Sequence, residues 1–179
     1  KELGDGGDAL SGSIYSVFPE PNGTFWLATS QGVARYAPPL WRTPAPVAGI
    51  TSLVHAIAED QKRRVWFGCT NSLVRLEKDE WKVYPIPRGE LSDYFRTRSV
   101  CPLRNGRIAI GMYNQEHILI FDPERETFEK VASPSGLGIR MISPRGDGTI
   151  WAQVASADYQ LSRLEIYDGT TFREAVNLA

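Results

Sequence analysis

The feature of this sequence that most restricts its fold is an internal repeat of about 42 residues. Four segments align without gaps: NGTFWLATS, KRRVWFGCT, NGRIAIGMY and DGTIWAQVA. Their equivalent anchor positions are 40, 43 and 42 residues apart and are occupied by Trp26, Trp66, Ala109 and Trp151. This period is typical of β-propeller blades, in which each repeat forms one small antiparallel sheet.

Further columns of the alignment support the same interpretation. Nine residues before the anchor, a β-branched residue stands in every repeat: Val17, Ile57, Val100 and Ile142. Three residues before the anchor is a turn position, occupied by Gly23, Arg63, Gly106 and Gly148. Short polar turns separate the apolar runs, so each repeat reads as four strands joined by hairpins.

The sequence therefore predicts an all-β fold: a β-propeller, or an arc of one, with four four-stranded antiparallel blades. We expect a flexible leader over residues 1–11 and blades at about 12–46, 47–88, 89–133 and 134–179. No helix longer than two turns is expected, because 16 Gly and 12 Pro interrupt the chain too often. Since the chain begins at Lys1 without Met, we expect it to be cut from a longer protein, and we expect the four blades to belong to a larger propeller.

The charge balance and the length of the apolar runs argue against two classes of partner, nucleic acids and membranes. Lys and Arg number 20 and Asp and Glu 21, so there is no basic excess for nucleic acid. No apolar run reaches the length of a membrane span, and we expect no direct membrane contact from this segment.

Cys69 and Cys101 form no CxxC pair, so we expect two shielded, reduced thiols. No metal or cofactor is expected.

Two of the repeats also carry a recognisable motif. The segments NGTFWLATSQGVARY and EDQKRRVWFGCTNSLVRL resemble the two-component-regulator propeller repeat, D-x-x-G-x-l-W-[IFL]-G-T-x-x-G-L-x-R-[YF]. The matching residues are Asn22, Gly23, Trp26, Thr29, Gly32, Val33, Arg35 and Tyr36, then Asp60, Trp66, Gly68, Leu73 and Arg75. The third repeat lacks the Trp, and the fourth lacks the small residue and the Thr.

The resemblance implies an extracytoplasmic, periplasmic sensor domain of a bacterial two-component-type signalling protein, binding a saccharide-like ligand. The segment carries no export signal of its own. Two alternatives remain open: a propeller-type lyase, and a scaffold or dimerisation domain without a small ligand. A lyase would need a histidine and acidic groups converging at the axis, and we interpret His55 as a core residue rather than a catalytic one. No G-x-S-x-G nucleophile motif is present.

Insertions identify the face on which a ligand is expected. In an A-B-C-D blade the D–A and B–C connections share one face, and the long segments are the D–A link 85–99 and the B–C links of repeats three and four. Insertions on one face of a repeat protein often mark its binding face. The predicted ligand-binding residues are Tyr94, Arg96, Arg98, Tyr113, Asn114, Gln115, Gln153 and Tyr159. The alternative is that these aromatic rings only pack on neighbouring blades.

Gln153 is included for a separate reason. Two residues past the anchor the first three repeats have Ala28, Gly68 and Gly111, whereas the fourth has Gln153. A buried amide without partners is costly, so we expect Gln153 to point into the central opening, towards water or a ligand. Possible partners of the segment are thus a saccharide or other small polar ligand, further blades, or a second copy of itself.

Overall fold

The computed structural model describes residues 13–21, 23–37, 40–42, 44–49, 53–87 and 97–177. Blade 1 contains β1 (Ile14–Pro19), β2 (Phe25–Thr29), β3 (Gly32–Ala37) and β4 (Leu40–Arg42). Blade 2 contains β5 (Val54–Glu59), β6 (Val65–Cys69), β7 (Ser72–Glu77) and β8 (Glu80–Pro85). Blade 3 contains β9 (Thr97–Pro102), β10 (Ile108–Met112), β11 (His117–Asp122) and β12 (Thr127–Ala132). Blade 4 contains β13 (Gly138–Pro144), β14 (Ile150–Ala155), β15 (Ser162–Tyr167) and β16 (Phe172–Asn177).

Each blade is one four-stranded antiparallel sheet with its strands in chain order, referred to below as strands A to D. The prediction of an all-β propeller with four such blades is confirmed. The only helical element in the described residues is the short 3-10 segment Ala45–Val47, which precedes blade 2. No helix in this part of the chain is long and apolar enough to cross a membrane.

The blades pack face to face, and their A strands lie innermost. Strand β1 packs on β5, β5 on β9, and β9 on β13, so the four A strands line the axis. One hydrophobic core fills each of the three spaces between successive blades. No core in the described residues joins blade 1 to blade 4, and both outer faces expose apolar side chains: Ile14 and Val17 on blade 1, and Met141 on blade 4. The four blades therefore form an arc.

Strand B of each blade is covered on both sides, because its alternate residues face opposite neighbours. In β6, Trp66 packs towards blade 3 and Phe67 towards blade 1. The small residue two positions past the anchor is explained by a close approach of the next blade. A Cβ added at Gly68 would stand 2.6 Å from Cγ2 of Thr97 and 2.7 Å from Cγ2 of Val100, both in β9.

Blade 4 differs from the other blades on this same face. Trp151 is only half-buried, whereas its counterparts Trp26 and Trp66 are buried. Gln153, where the other repeats have a small residue, is exposed to solvent. The physical reason is common to both: the anchor and the residue two positions later face the following blade, and no described residues cover that side of blade 4.

The A–B turn has the same backbone in all four blades. Gly23, Gly106 and Gly148 have positive φ angles of 80°, 81° and 82°, and Arg63 adopts the same left-handed conformation with φ 62°. Arg63, which replaces glycine in this column of the repeat, therefore changes the side chain but keeps the turn conformation.

Both cysteines are buried thiols, as predicted. Burial raises the pKa of the Cys101 thiol to about 12.

Candidate functional site

A β-bulge recurs at the start of strand A in every blade. In blade 1 the pairing passes from Ile14–Thr29 to Ser16–Ala28, which leaves one residue of β1 without an opposite partner. The other three A–B pairs shift register at the equivalent place. The four bulged residues are Tyr15, His55, Arg98 and Arg140, referred to below as the bulge row.

The bulge row lies at the end of the innermost strands, on the face that carries the D–A and B–C connections. A bulge turns its side chain away from the regular alternation, and bulges are common beside functional sites for that reason. Tyr15 and His55 are in contact, with ring centroids 5.3 Å apart, and Nε2 of His55 lies 3.3 Å from Oγ1 of Thr70. Blades 3 and 4 place arginines at the same position.

Arg98 and Arg140 converge on one ring across the seam between blades 3 and 4. The guanidinium carbon of Arg98 lies 4.5 Å from the ring centroid of Tyr113, and that of Arg140 lies 5.4 Å from it. Arg140 also lies 4.4 Å from the ring centroid of Tyr159. The two tyrosines come from the B–C connections of the two blades, so the cluster is assembled from four separate chain segments.

Arg140 is buried at 9% exposure and holds the loops of the site together. One of its terminal nitrogens donates to Oδ1 of Asn114, in the B–C turn of blade 3. The other donates to the carbonyl of Ser156 at 2.7 Å, in the B–C loop of blade 4. Its Nε is buried without a hydrogen-bond acceptor among the described residues.

The tyrosine hydroxyls point at each other. The hydroxyl oxygens of Tyr113 and Tyr159 are 3.1 Å apart, and Tyr159 is 61% exposed. Tyr159 and Asn114 both have positive φ angles, 60° and 64°, which set the direction of their side chains. The hydrogen bond to Tyr159, with one to Arg140, holds the pKa of Tyr113 below its usual value.

The cluster carries two positive charges, and none of the described acids pairs with them. No carboxylate of the described residues lies within 4.0 Å of the guanidinium of Arg98 or Arg140. The carboxylate of Asp158, next to Tyr159, is directed elsewhere: it accepts from Oγ of Ser156 at 2.6 Å and from the backbone N–H of Gln160. These hydrogen bonds lower the pKa of Asp158.

The structure brings part of the predicted set together. Tyr94 and Arg96 lie outside the described residues. Four of the others are in the cluster: Arg98, Tyr113, Asn114 and Tyr159. Gln115 joins it through the backbone, since its carbonyl accepts from the N–H of Ile139 at 2.7 Å.

Gln153 is adjacent to the cluster without belonging to it. It pairs with Met141, the residue after Arg140, and makes no side-chain hydrogen bond within the described part of the chain. Sequence reasoning missed Arg140, although a signal existed. The bulge row stands eleven residues before the anchor in every repeat, so aligning that column would have placed Arg98 and Arg140 together.

The opposite face of the arc carries a structural device that recurs in blades 1 and 2. In blade 2, Oδ2 of Asp60 accepts from the indole N–H of Trp66 at 2.8 Å and from Nε of Arg64 at 2.6 Å. In blade 1, Glu20 accepts from the indole N–H of Trp26 at 2.8 Å. Burial raises the pKa of Asp60, but its hydrogen bonds from Trp66 and Arg64 outweigh burial and leave the pKa lowered.

A cleft of about 310 Å³ lies beside Asp60 on that opposite face, between blades 2 and 3. It is lined by charges of both signs, including Lys62, Arg104, Arg107 and Glu124. Among the described residues, no group of three or more His, Cys, Asp or Glu side chains is arranged to hold a metal.

Comparison with solved structures agrees on the fold. The chain is similar to the extracellular domain of a hybrid two-component system from Bacteroides thetaiotaomicron, with a TM-score of 0.69 and 15% identity over 93% of this chain and 23% of that one. It is also similar to virginiamycin B lyase from Staphylococcus aureus, in a catalytically inactive variant with quinupristin, with a TM-score of 0.63 and 12% identity over 90% and 57%. YCF48 bound to a D1 peptide matches with a TM-score of 0.62 and 16% identity over 95% and 55%.

The chain thus spans little more than half the length of the lyase and about a quarter of the two-component domain. At these identities the likeness shows the fold, which extracellular domains of two-component systems, a lyase and a protein bound to a peptide share. No protein-family model and no curated protein sequence matches the chain.

Proposed function

We propose that this propeller segment is a non-catalytic ligand-sensing or interaction domain that binds a polar, saccharide-like ligand on its D–A/B–C face. The observation that carries the proposal is the cluster of Arg98, Tyr113, Arg140 and Tyr159 at the mouth of the seam between blades 3 and 4. Residues from four chain segments meet there on a rigid scaffold. Convergent polar and aromatic groups of this kind are what a small-molecule site requires.

The arrangement is preorganised for binding. Arg140 ties the two B–C connections to strand A through Asn114 and Ser156, so the tyrosines are held before any ligand arrives. Preorganised side chains lose less conformational freedom on binding, which increases affinity. The exposed edges of Arg98 and Tyr159 then supply donors and a ring surface that a polar ligand can reach.

A role in signalling rests on the repeat motif and on the two-component domains of the same fold. By the same resemblance we propose a periplasmic or other extracytoplasmic location. Residues Tyr94 and Arg96, in the D–A link before β9, and Gln115 and Gln153 remain part of the proposed ligand surface.

We also propose that the open faces of blades 1 and 4 are covered in the functional protein, by further blades or by a second copy. Their exposed apolar side chains, such as Val17 and Met141, support this, because solvent-exposed apolar patches promote association. Light scattering at micromolar concentration should show a dimer or larger species. A strict monomer that unfolds cooperatively would contradict the proposal.

A lyase activity is the second candidate, and one observation favours it: His55 occupies the bulge row, with Tyr15 and Thr70 in contact. The test is incubation with virginiamycin B, followed by chromatography, using His55→Ala as the matched variant. Turnover that disappears in the variant would establish catalysis and exclude the non-catalytic assignment.

The experiment for ligand sensing is a thermal-shift screen of the whole chain against a saccharide library. A ligand that binds only the native state raises the unfolding midpoint. Tyr159→Ala should abolish the shift, because it removes the exposed ring of the cluster. Val83→Ala, which truncates an exposed side chain of β8 in blade 2, should keep it. A library without any hit would favour the scaffold alternative.

A further inference from the structure

We infer that the cluster in the seam between blades 3 and 4 selects a negatively charged saccharide, bearing a carboxylate or a sulfate ester, over its neutral counterpart. This inference rests on the proposed function and names its ligand class. The paired bulged arginines, Arg98 and Arg140, are the specificity-determining residues.

The ring faces in the cluster are the first reason. Neutral sugars are usually held by stacking on open aromatic faces, and here guanidinium groups occupy one face of each ring. Arg98 lies over Tyr113 at 4.5 Å and Arg140 over Tyr159 at 4.4 Å. An incoming ligand would therefore contact guanidinium groups and tyrosine hydroxyls as well as the apolar ring surface.

Uncompensated charge is the second reason. Several other arginines in the described residues pair with acids: Arg64 with Asp60, Arg35 with Glu20, and Arg145 with Asp147. The two arginines of the cluster have no acidic partner among the residues that the structure describes, although one of them is nine-tenths buried. A buried cation without a counter-ion is unfavourable, and an anionic ligand removes that cost on binding.

The third reason is that the two arginines differ in how many of their hydrogen-bond donors are already used. Both terminal nitrogens of Arg140 are used internally, so it contributes charge and fixes the loops. Arg98 is exposed and makes no hydrogen bond within the described residues, which leaves its planar fork of donors for the ligand. Such a fork binds carboxylate and sulfate-type oxygens in pairs.

Two matched trios of sugars test the inference by isothermal titration calorimetry: galacturonate, galactose 6-sulfate and galactose, then glucuronate, glucose 6-sulfate and glucose. In at least one trio, a charged member should bind about tenfold or more tightly than the neutral one. The preference should weaken between low and high salt, since exposed charges are screened. Equal binding of charged and neutral sugars would overturn the inference and leave the proposed function standing.

Arg98→Gln should lower the affinity for the charged sugar about tenfold and change the affinity for the neutral one less than about twofold. Arg125→Gln is the control, because it removes an exposed arginine from the opposite face. If both variants lose affinity alike, the effect is one of net charge and the assignment to Arg98 is wrong.

Two further probes separate failure of the inference from failure of the proposed function. Acetate and inorganic sulfate binding as tightly as the charged sugars would show that the sugar ring adds nothing, which overturns the saccharide class. An acidic peptide that binds in their place would reassign the cluster to a protein partner. No binding by any sugar, charged or neutral, would overturn the inference and the proposed function together.

Discussion

Blades 2 and 4 have the same strand order and the same bulge, yet their strands B differ in what surrounds them. In blade 2, Trp66 is fully buried and its indole N–H is bound by Asp60. In blade 4, Trp151 is half-buried, and Arg145 stands in place of the acid with its guanidinium carbon 4.6 Å from the ring centroid. The difference teaches that a repeat column fixes the position of a side chain, while the neighbouring blade decides its environment.

Truncation of the two tryptophans should give the largest difference in stability between the two blades. Trp66→Ala should lower the free energy of unfolding by about 3–5 kcal/mol, because it opens a cavity in the core between blades 2 and 3. Trp151→Ala should lower it by about 1–2 kcal/mol, because less of that ring is removed from water. Urea denaturation of both variants measures this, and equal losses would contradict the difference in burial.

The acid that caps Trp66 gives the second test. Asp60→Asn should cost about 3 kcal/mol, because it leaves the buried guanidinium of Arg64 without its counter-ion. Arg145→Gln, its counterpart in blade 4, should cost no more than about 1 kcal/mol, since that contact is partly solvated. Chemical denaturation at neutral pH compares the two directly.

Asp60 should also make stability depend on pH. Its pKa is lower in the folded chain than in the unfolded one, so its contribution is present above the unfolded pKa of about 4 and is lost as pH falls through the folded pKa. The wild-type chain should therefore lose stability in acid more steeply than Asp60→Asn. Parallel acid-unfolding curves for the two proteins would contradict this role.

The small-residue column gives the third test. Gly68→Ala should cost about 1–3 kcal/mol, because its Cβ would stand within 3 Å of two side chains of β9. Gln153→Ala should change stability by less than about 0.5 kcal/mol, because that side chain faces solvent. A large loss for Gln153→Ala would show that something in solution covers the outer face of blade 4.

The smallest expected effect is in the A–B turn. Arg63→Gly should stabilise the chain by about 0.5 kcal/mol, since glycine adopts the left-handed conformation without a steric penalty. Gly106→Ala, at the same position of blade 3, should destabilise it by about 1 kcal/mol, because its φ of 81° disfavours a Cβ although the space around it is open. Thermal melts resolve both shifts, and effects of the same sign would contradict the common turn geometry.

Sequence columns were sufficient to predict the four blades and the buried thiols, because local pattern and period determine them. They were not sufficient to predict the burial of Trp151 or Gln153, which depends on a neighbouring face that is not part of the repeat. The indole–carboxylate bond of Trp66 and Asp60 was also missed, although the acid stands six residues before the anchor in a motif already aligned. Arg140 was missed as well, because its role depends on a β-bulge, and only the column eleven residues before the anchor relates it to Arg98.

The recurring bulge has a consequence for how such a surface can diversify. Its residue has no opposite partner in the A–B ladder, so exchanging that side chain leaves the pairing of the flanking residues intact. Each blade therefore presents one position whose side chain can change without loss of the A–B pairing, and in blade 4 that side chain, Arg140, also holds the B–C connections through Asn114 and Ser156. In order around the axis, these positions hold a tyrosine, a histidine and two arginines. Substitutions at these four positions would change which ligands the face prefers.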